Sequence, residues 1–379
     1  MPIARPFPLV LAALTAMVSF AVAGVADVRA QGCVASRMNA PSVSGATDPE
    51  GNSYYLPDGR WQASFGYRTY RSHRHFVGSV EQDGSPGTVD RRSNEVVNHV
   101  HIPELTLSYG FSDRLSATLD LPVDFLHRRN PPRAATSTNP AVPAAYTDAR
   151  GIGDATLVTR YWVGNPSHHG SQNLSVGLGF KVPTGKDDVD GTFFRIVNRT
   201  VQPWVHPVDQ SIQLGDGGFG LIGEVQAFKS FGSVTAFATG SYLVNPRATN
   251  GVQTGRSDPN EAVMSVADQY GARLGITMPI RFLKGVGLTL DARMEGVPSS
   301  DLVGSSAGFR RPGYSIGIEP GLSYTWKKTA FAVSVPYLVR RVRSQSYADK
   351  LATAATGSFV NGDAAFADYI VIAGFTRRF

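Results

Sequence analysis

From Trp61 onwards the chain repeats one pattern: apolar and polar side chains alternate residue by residue through a dozen short segments. A period of two belongs to a β-strand, whose successive side chains point to opposite faces. The clearest segment sets Leu115, Ala117, Leu119, Leu121, Val123 and Phe125 against Ser116, Thr118, Asp120 and Asp124. The final one sets Ala367, Tyr369, Val371, Ala373 and Phe375 against Asp368, Gly374, Thr376 and Arg378, with Ile370 and Ile372 on the polar side. Arg377 interrupts its apolar face, where a long basic side chain can snorkel to an interface.

Twelve such segments can be counted, and the links between them narrow the architecture further. Short links (110–114, 164–172, 231–233, 281–285, 326–329) alternate strictly with long ones (71–97, 127–150, 184–217, 245–267, 297–313, 340–362). Short periplasmic turns and long external loops on an even-stranded barrel have this order. The expectation is an all-β, transmembrane, antiparallel up-and-down β-barrel of about 12 strands over 60–379, in a Gram-negative outer membrane. In the second strand Val100 and Ile102 run out of phase with Leu105, Leu107 and Tyr109, which predicts a bulge near Pro103. The chain ends on Phe379, in the style of a closing strand whose terminal aromatic is read by the barrel assembly machinery.

If the apolar face meets lipid, the charged face lines the interior, because a charge in hydrocarbon costs about 2–4 kcal/mol. The lumen-lining candidates are Asp120, Asp124, Asp154, Arg160, Lys181, Glu224, Arg273, Asp291, Arg293, Glu295 and Glu319. Two readings suit them: a paired lattice that stiffens the barrel, or a pathway wall whose mixed charges set selectivity.

The N-terminus reads as an export signal: Arg5, an apolar run from Leu9 to Ala26, and small residues before a cut at Ala26 or Ala30. Removing 1–30 takes one acid and two bases from a chain of net charge +6, leaving +5. So modest and dispersed an excess does not imply nucleic acid; lipopolysaccharide phosphates are the natural anionic neighbours. Beyond this segment no apolar run approaches the ~18 residues of a membrane helix. Residues 31–59 are polar and Gly/Pro/Ser-rich, an irregular segment that enters the lumen as a plug or hangs in the periplasm. Cys33 is the only cysteine, which excludes an intrachain disulfide. Ala30-Gln-Gly-Cys33 distantly resembles a lipobox, although Gln31 fits it poorly.

Other patterns carry less. His73 with His75, and His99 with His101, each place two rings on one strand face at facing ends of the first hairpin, but no carboxylate or cysteine stands at a diagnostic spacing. Val182-Pro-Thr-Gly-Lys186 lacks the full phosphate-loop spacing and reads as a strand end entering a loop. No catalytic pairing and no cofactor motif is visible.

Several stretches resemble the family described as "MetA-pathway of phenol degradation", outer-membrane transporters found near genes for aromatic catabolism. They are Tyr109-Gly-Phe-Ser-Asp-Arg114 followed by Leu119-Asp-Leu-Pro-Val123, Gly151-Ile-Gly-Asp-Ala155, Gly177-Leu-Gly-Phe-Lys-Val-Pro-Thr-Gly185 and Val208-Asp-Gln-Ser-Ile-Gln-Leu-Gly-Asp-Gly217. The resemblance implies a barrel that passively takes up small hydrophobic or aromatic solutes, without a cofactor. Two alternatives stay open: a structural or surface-interaction barrel with a closed lumen, and an outer-membrane lipid-modifying enzyme.

Overall fold

A computed structural model describes residues 55–82 and 96–379; the stretch read as an export signal, Cys33, most of the N-terminal segment and part of the first long loop lie outside the described residues. The first half of the wall comprises β1 (Trp61–Val77), with a short β2 (Val80–Glu81) turned back on it, β3 (Val97–Gly110), β4 (Leu115–Asn130), β5 (Ala145–Ile152), β6 (Ala155–Trp162) and β7 (Gln172–Val182). After a hairpin of β8 (Asp190–Val197) and β9 (Thr200–Pro207) come β10 (Gly220–Phe231) and β11 (Val234–Val244). A short pair, β12 (Thr249–Gln253) and β13 (Val263–Ser265), precedes β14 (Gln269–Pro279), β15 (Val286–Val297) and β16 (Gly313–Trp326). The chain ends with β17 (Thr329–Ser334), β18 (Tyr337–Arg343), helix α1 (Tyr347–Thr356) and β19 (Ala364–Arg378).

β5 and β6 both pair with β4 and form one wall strand broken at 153–154. β17 and β18 both pair with β16 and form another, broken at 335–336, where Pro336 has no N–H for the ladder. Counted this way the wall has twelve antiparallel strands, closed by β1 on β19 from Gln62↔Arg378 to Phe76↔Ala364. β18 meets β19 only at Tyr337↔Tyr369. Beyond that pair a side chain bridges the seam, Arg341 donating from Nε to the Ala367 carbonyl at 2.7 Å.

The alternation sorts the side chains as a membrane requires. On β14, Leu274 is 52% exposed beside Arg273 at 9%; on β15, Leu290 is 51% exposed beside Asp291 at 3%. Trp61, Tyr161, Phe231, Trp326 and Phe331 ring the outside at the short-turn end, as an interfacial girdle does.

Three features depart from the sequence expectations. No bulge occurs at Pro103: β3 holds one register against β1 from Asn98 to Tyr109. Val100 and Ile102 keep phase by pointing inwards, where a loop covers them, so His99 and His101 face out. The strands also run further than the alternation marks, so the link assigned to 127–150 shrinks to 131–144. Finally, the link at 340–362 contains α1, started by a capping box between Ser346 and Asp349 and ended by Gly357 at φ 68°.

Candidate functional site

Two cavities lie inside the wall. The lower, near the short turns, measures about 310 Å³ and is lined by Gln62, Ser64, Thr106, Thr118, Arg160 and Arg293 among others. The upper, about 120 Å³, lies beneath the long loops. Arg68, Glu104, Asp120, Val158 and Glu224 border both, so they form the waist between them.

Most of the charges expected to line the interior are buried there as a network. Arg273 donates to Asp291 at 2.7 Å and to Glu319 at 3.1 Å. Arg293 bridges Glu295 at 2.8 Å and Glu319 at 2.5 Å. Arg160 pairs with Glu224 at 2.8 Å. Asp120 accepts hydroxyl hydrogen bonds from Thr106 at 2.7 Å and Thr156 at 3.3 Å. Asp124 is 3% exposed and borders the upper cavity. Asp154 and Lys181 do something else as well: the Asp154 carboxylate accepts from the backbone N–H of Gly185 and of Asp216, and Lys181 pairs with Asp154 at 3.6 Å and with Asp216. They tie both legs of the long loop between β7 and β10 to the wall.

Sequence reasoning left Arg68, Glu104 and Asp209 out of the candidates. Arg68 bonds Glu295 at 2.8 Å across the lumen. Both Arg68 and Glu104 stand on the polar phase of their strands, a signal that selects them. Asp209 lies in a loop with no periodicity, and only the folded chain brings it inside.

That loop is the upper lid. Residues 208–214 turn down into the barrel, where Val208, Ile212 and Leu214 pack on Val100, Leu126 and Ala149 of the inner wall. Asp209 caps the short 3₁₀ turn Gln210–Ile212 and accepts from both terminal nitrogens of Arg311, at 2.7 and 2.6 Å. Arg128 approaches it at 3.4 Å. Burial opposes ionisation of Asp209, but the two guanidinium groups outweigh it and hold the carboxyl well below the usual carboxylate range. The lower end is narrowed by aromatics: inward-facing Trp162, Phe228 and Phe237 pack together with Tyr55 against them. Tyr55 belongs to the segment before the barrel, and its hydroxyl donates to the His169 carbonyl at 2.8 Å.

The four paired histidines do not converge. His73 reaches Asp368 at 3.6 Å and His75 reaches Asp363 at 2.6 Å. His101 shares a hydrogen bond of 2.7 Å with the Tyr67 hydroxyl on the outer wall, and His99 lies beside His127. Among the described residues no group of three potential metal ligands is present. At the last residue, the Phe379 amide donates to the Trp61 carbonyl at 2.9 Å, extending the seam that closes the barrel.

A closed twelve-stranded wall, oily outside and charged inside, defines an outer-membrane β-barrel. No known family matches the sequence, and no curated protein matches it. Among solved structures it is similar to the COG4313 outer membrane channel from Pseudomonas putida F1, with TM-score 0.51 and 14% identity over 88% of this chain and 99% of that one. The CymD monoaromatic hydrocarbon channel gives TM-score 0.45 and 10% identity over 92% and 98% of the two chains. The P. putida toluene transporter TodX gives 0.41 and 9% over 86% and 91%. The first of these likenesses shows the fold.

Proposed function

We propose that the protein is a passive outer-membrane channel for small hydrophobic or aromatic compounds. The upper cavity carries this reading. Tyr70, Val100, Ile102, Leu126, Ile222 and Leu243 give it an apolar side, and its 120 Å³ is close to the ~150 Å³ in which a dry protein cavity holds benzene. A single ring would be a solute of about this size, lying against the apolar side. The sequence motifs that resemble transporters found near genes for aromatic catabolism are in keeping with such a solute.

A solute would enter where residues 208–217 yield, rest against the apolar side, and meet the charged waist before the lower cavity. Candidates from Asp120 to Glu319 then act as the polar wall, with Asp154 and Lys181 as anchors of the lid. Tyr55 and Leu56, which line the lower cavity, would regulate the lower mouth. The lipopolysaccharide leaflet and the assembly machinery, reading Phe379, complete the partners. Diffusion through such a path needs no cofactor.

The test is swelling of liposomes carrying the purified protein, comparing hydroxybenzoates with sugars of similar size. Faster swelling with the aromatics, reduced several-fold by Leu126→Trp, supports the reading. Swelling with neither solute would support the closed structural barrel instead, a reading favoured by the extensive pairing of the inward charges.

A further inference from the structure

The outer wall is not uniform above its apolar band. On β4 the outward apolar side chains run from Leu115 to Phe125. At about 3.3 Å per residue and a tilt of about 40°, this stretch rises about 25 Å, the height of the lipid-facing band of such barrels. The next outward positions are His127 and Arg129. Register places Arg71, His99, His127 and Asp148 in one row across β1, β3, β4 and β5. Arg129 lies in the row above and Arg150 in the row below. Arg71, His99 and Arg150 are exposed, and Arg71 and Arg150 have no ion-pair partner among the described residues. Asp148 is the one carboxylate in these rows and bonds His127 at 2.6 Å. Tyr146 stacks on the other side of His127. Elsewhere on the wall Tyr242, Tyr270 and Tyr314 share one row across β11, β14, β15 and β16.

We propose that the extracellular rim of β1, β3, β4 and β5 binds the phosphate groups of lipid A, with Arg71, Arg129 and Arg150 as the phosphate ligands. Charge and height both select this occupant. Arginine binds phosphate through paired N–H donors, and the rows begin where the apolar band ends, at the depth of outer-leaflet headgroups. Four strands at about 4.8 Å spacing spread the site over about 14 Å, wide enough for a headgroup bearing two phosphates. The histidine and tyrosine rings form the floor on which the sugars rest. The site rests on the outer-membrane placement of the barrel and is independent of what the lumen passes.

The experiment uses the full-length protein in lipid nanodiscs, with bound lipid counted by native mass spectrometry after adding bisphosphorylated lipid A, monophosphorylated lipid A or phosphatidylglycerol. Wild type is expected to retain bisphosphorylated lipid A at least tenfold better than phosphatidylglycerol, with the monophosphorylated form between them. The triple variant R71Q/R129Q/R150Q should lose most of that preference, while R195Q/R199Q/R256Q, which removes three loop arginines, should keep it. Equal retention of lipid A by wild type and triple variant overturns the site, as does equal retention of phosphatidylglycerol by wild type. Should the triple variant not assemble, R71K/R129K/R150K tests the same residues: a partial loss is expected, and no change overturns paired arginine recognition. Liposome swelling is measured alongside, so failure of the channel reading and failure of the lipid site appear separately.

Discussion

Asp209 holds the lid with two arginines, and its chemistry sets how the lid responds to acid. A carboxyl whose native pKa lies below its unfolded value of ~3.9 contributes stability that is complete above that value and lost as pH falls through the native one. The lid is therefore expected to stay docked from pH 7 down to about 4 and to loosen below it, read as conductance rising only at strongly acidic pH. Asp209→Asn leaves Arg128 and Arg311 without their carboxylate. It should raise conductance at neutral pH and flatten the acid response; a neutral-pH conductance equal to wild type would count against the lid. Glu319 has the parallel role in the network, accepting from Arg273, Arg293 and Ser334. Glu319→Gln should destabilise the barrel by about 3–5 kcal/mol, the range for removing one partner of a buried ion pair. Arg256→Gln, at a pair 42% exposed on the arginine side, should cost under about 1 kcal/mol. Urea unfolding from lipid vesicles compares the two, and a similar cost for both would refute a structural role for the buried network.

At the scale of elements, the lid depends on a narrow neck. The legs of the loop cross at Gly185 and Gly215, and a Cβ on Gly215 would collide with the Gly185 carbonyl and the Asp154 carboxylate. Gly215→Val is expected to push residues 208–214 out of the barrel, uncovering Val100 and Leu126. Protease cutting within 208–217 should then become several-fold faster while the wall stays intact; unchanged cutting would show that the neck has room. These elements also mark how far sequence reading reaches. Strand faces were legible because period two survives whatever the neighbours are. The inward apolar pair Val100 and Ile102 was misread as a bulge because a loop distant in sequence covers it, and no local pattern reports such a cover. α1 carries its own local signal in the Ser346 and Asp349 capping box, which a period of two does not register.

For the whole molecule, closure is the event that removes both sheet edges. β1 and β19 meet along the seam, and Phe379 extends it at the short-turn end. If Phe379 also serves as the assembly signal, Phe379→Ala should lower the yield of folded, heat-modifiable barrel more than Phe375→Ala, which removes a wall aromatic of the same strand. Equal yields would assign Phe379 to packing alone.

The architecture was written in the chain because a barrel in lipid imposes the same demand at every strand: one face for hydrocarbon, one for the interior, and links whose lengths alternate between the two sides. Twelve strands and their antiparallel order follow from that local rule. The partners of those charges, the descent of residues 208–214 into the lumen, the packing of Tyr55 on Trp162 and the two cavities follow from no local rule. They depend on contacts between residues far apart in sequence, as in Arg68 with Glu295 or Asp209 with Arg311, which exist only once the wall has closed and brought its opposite sides within reach.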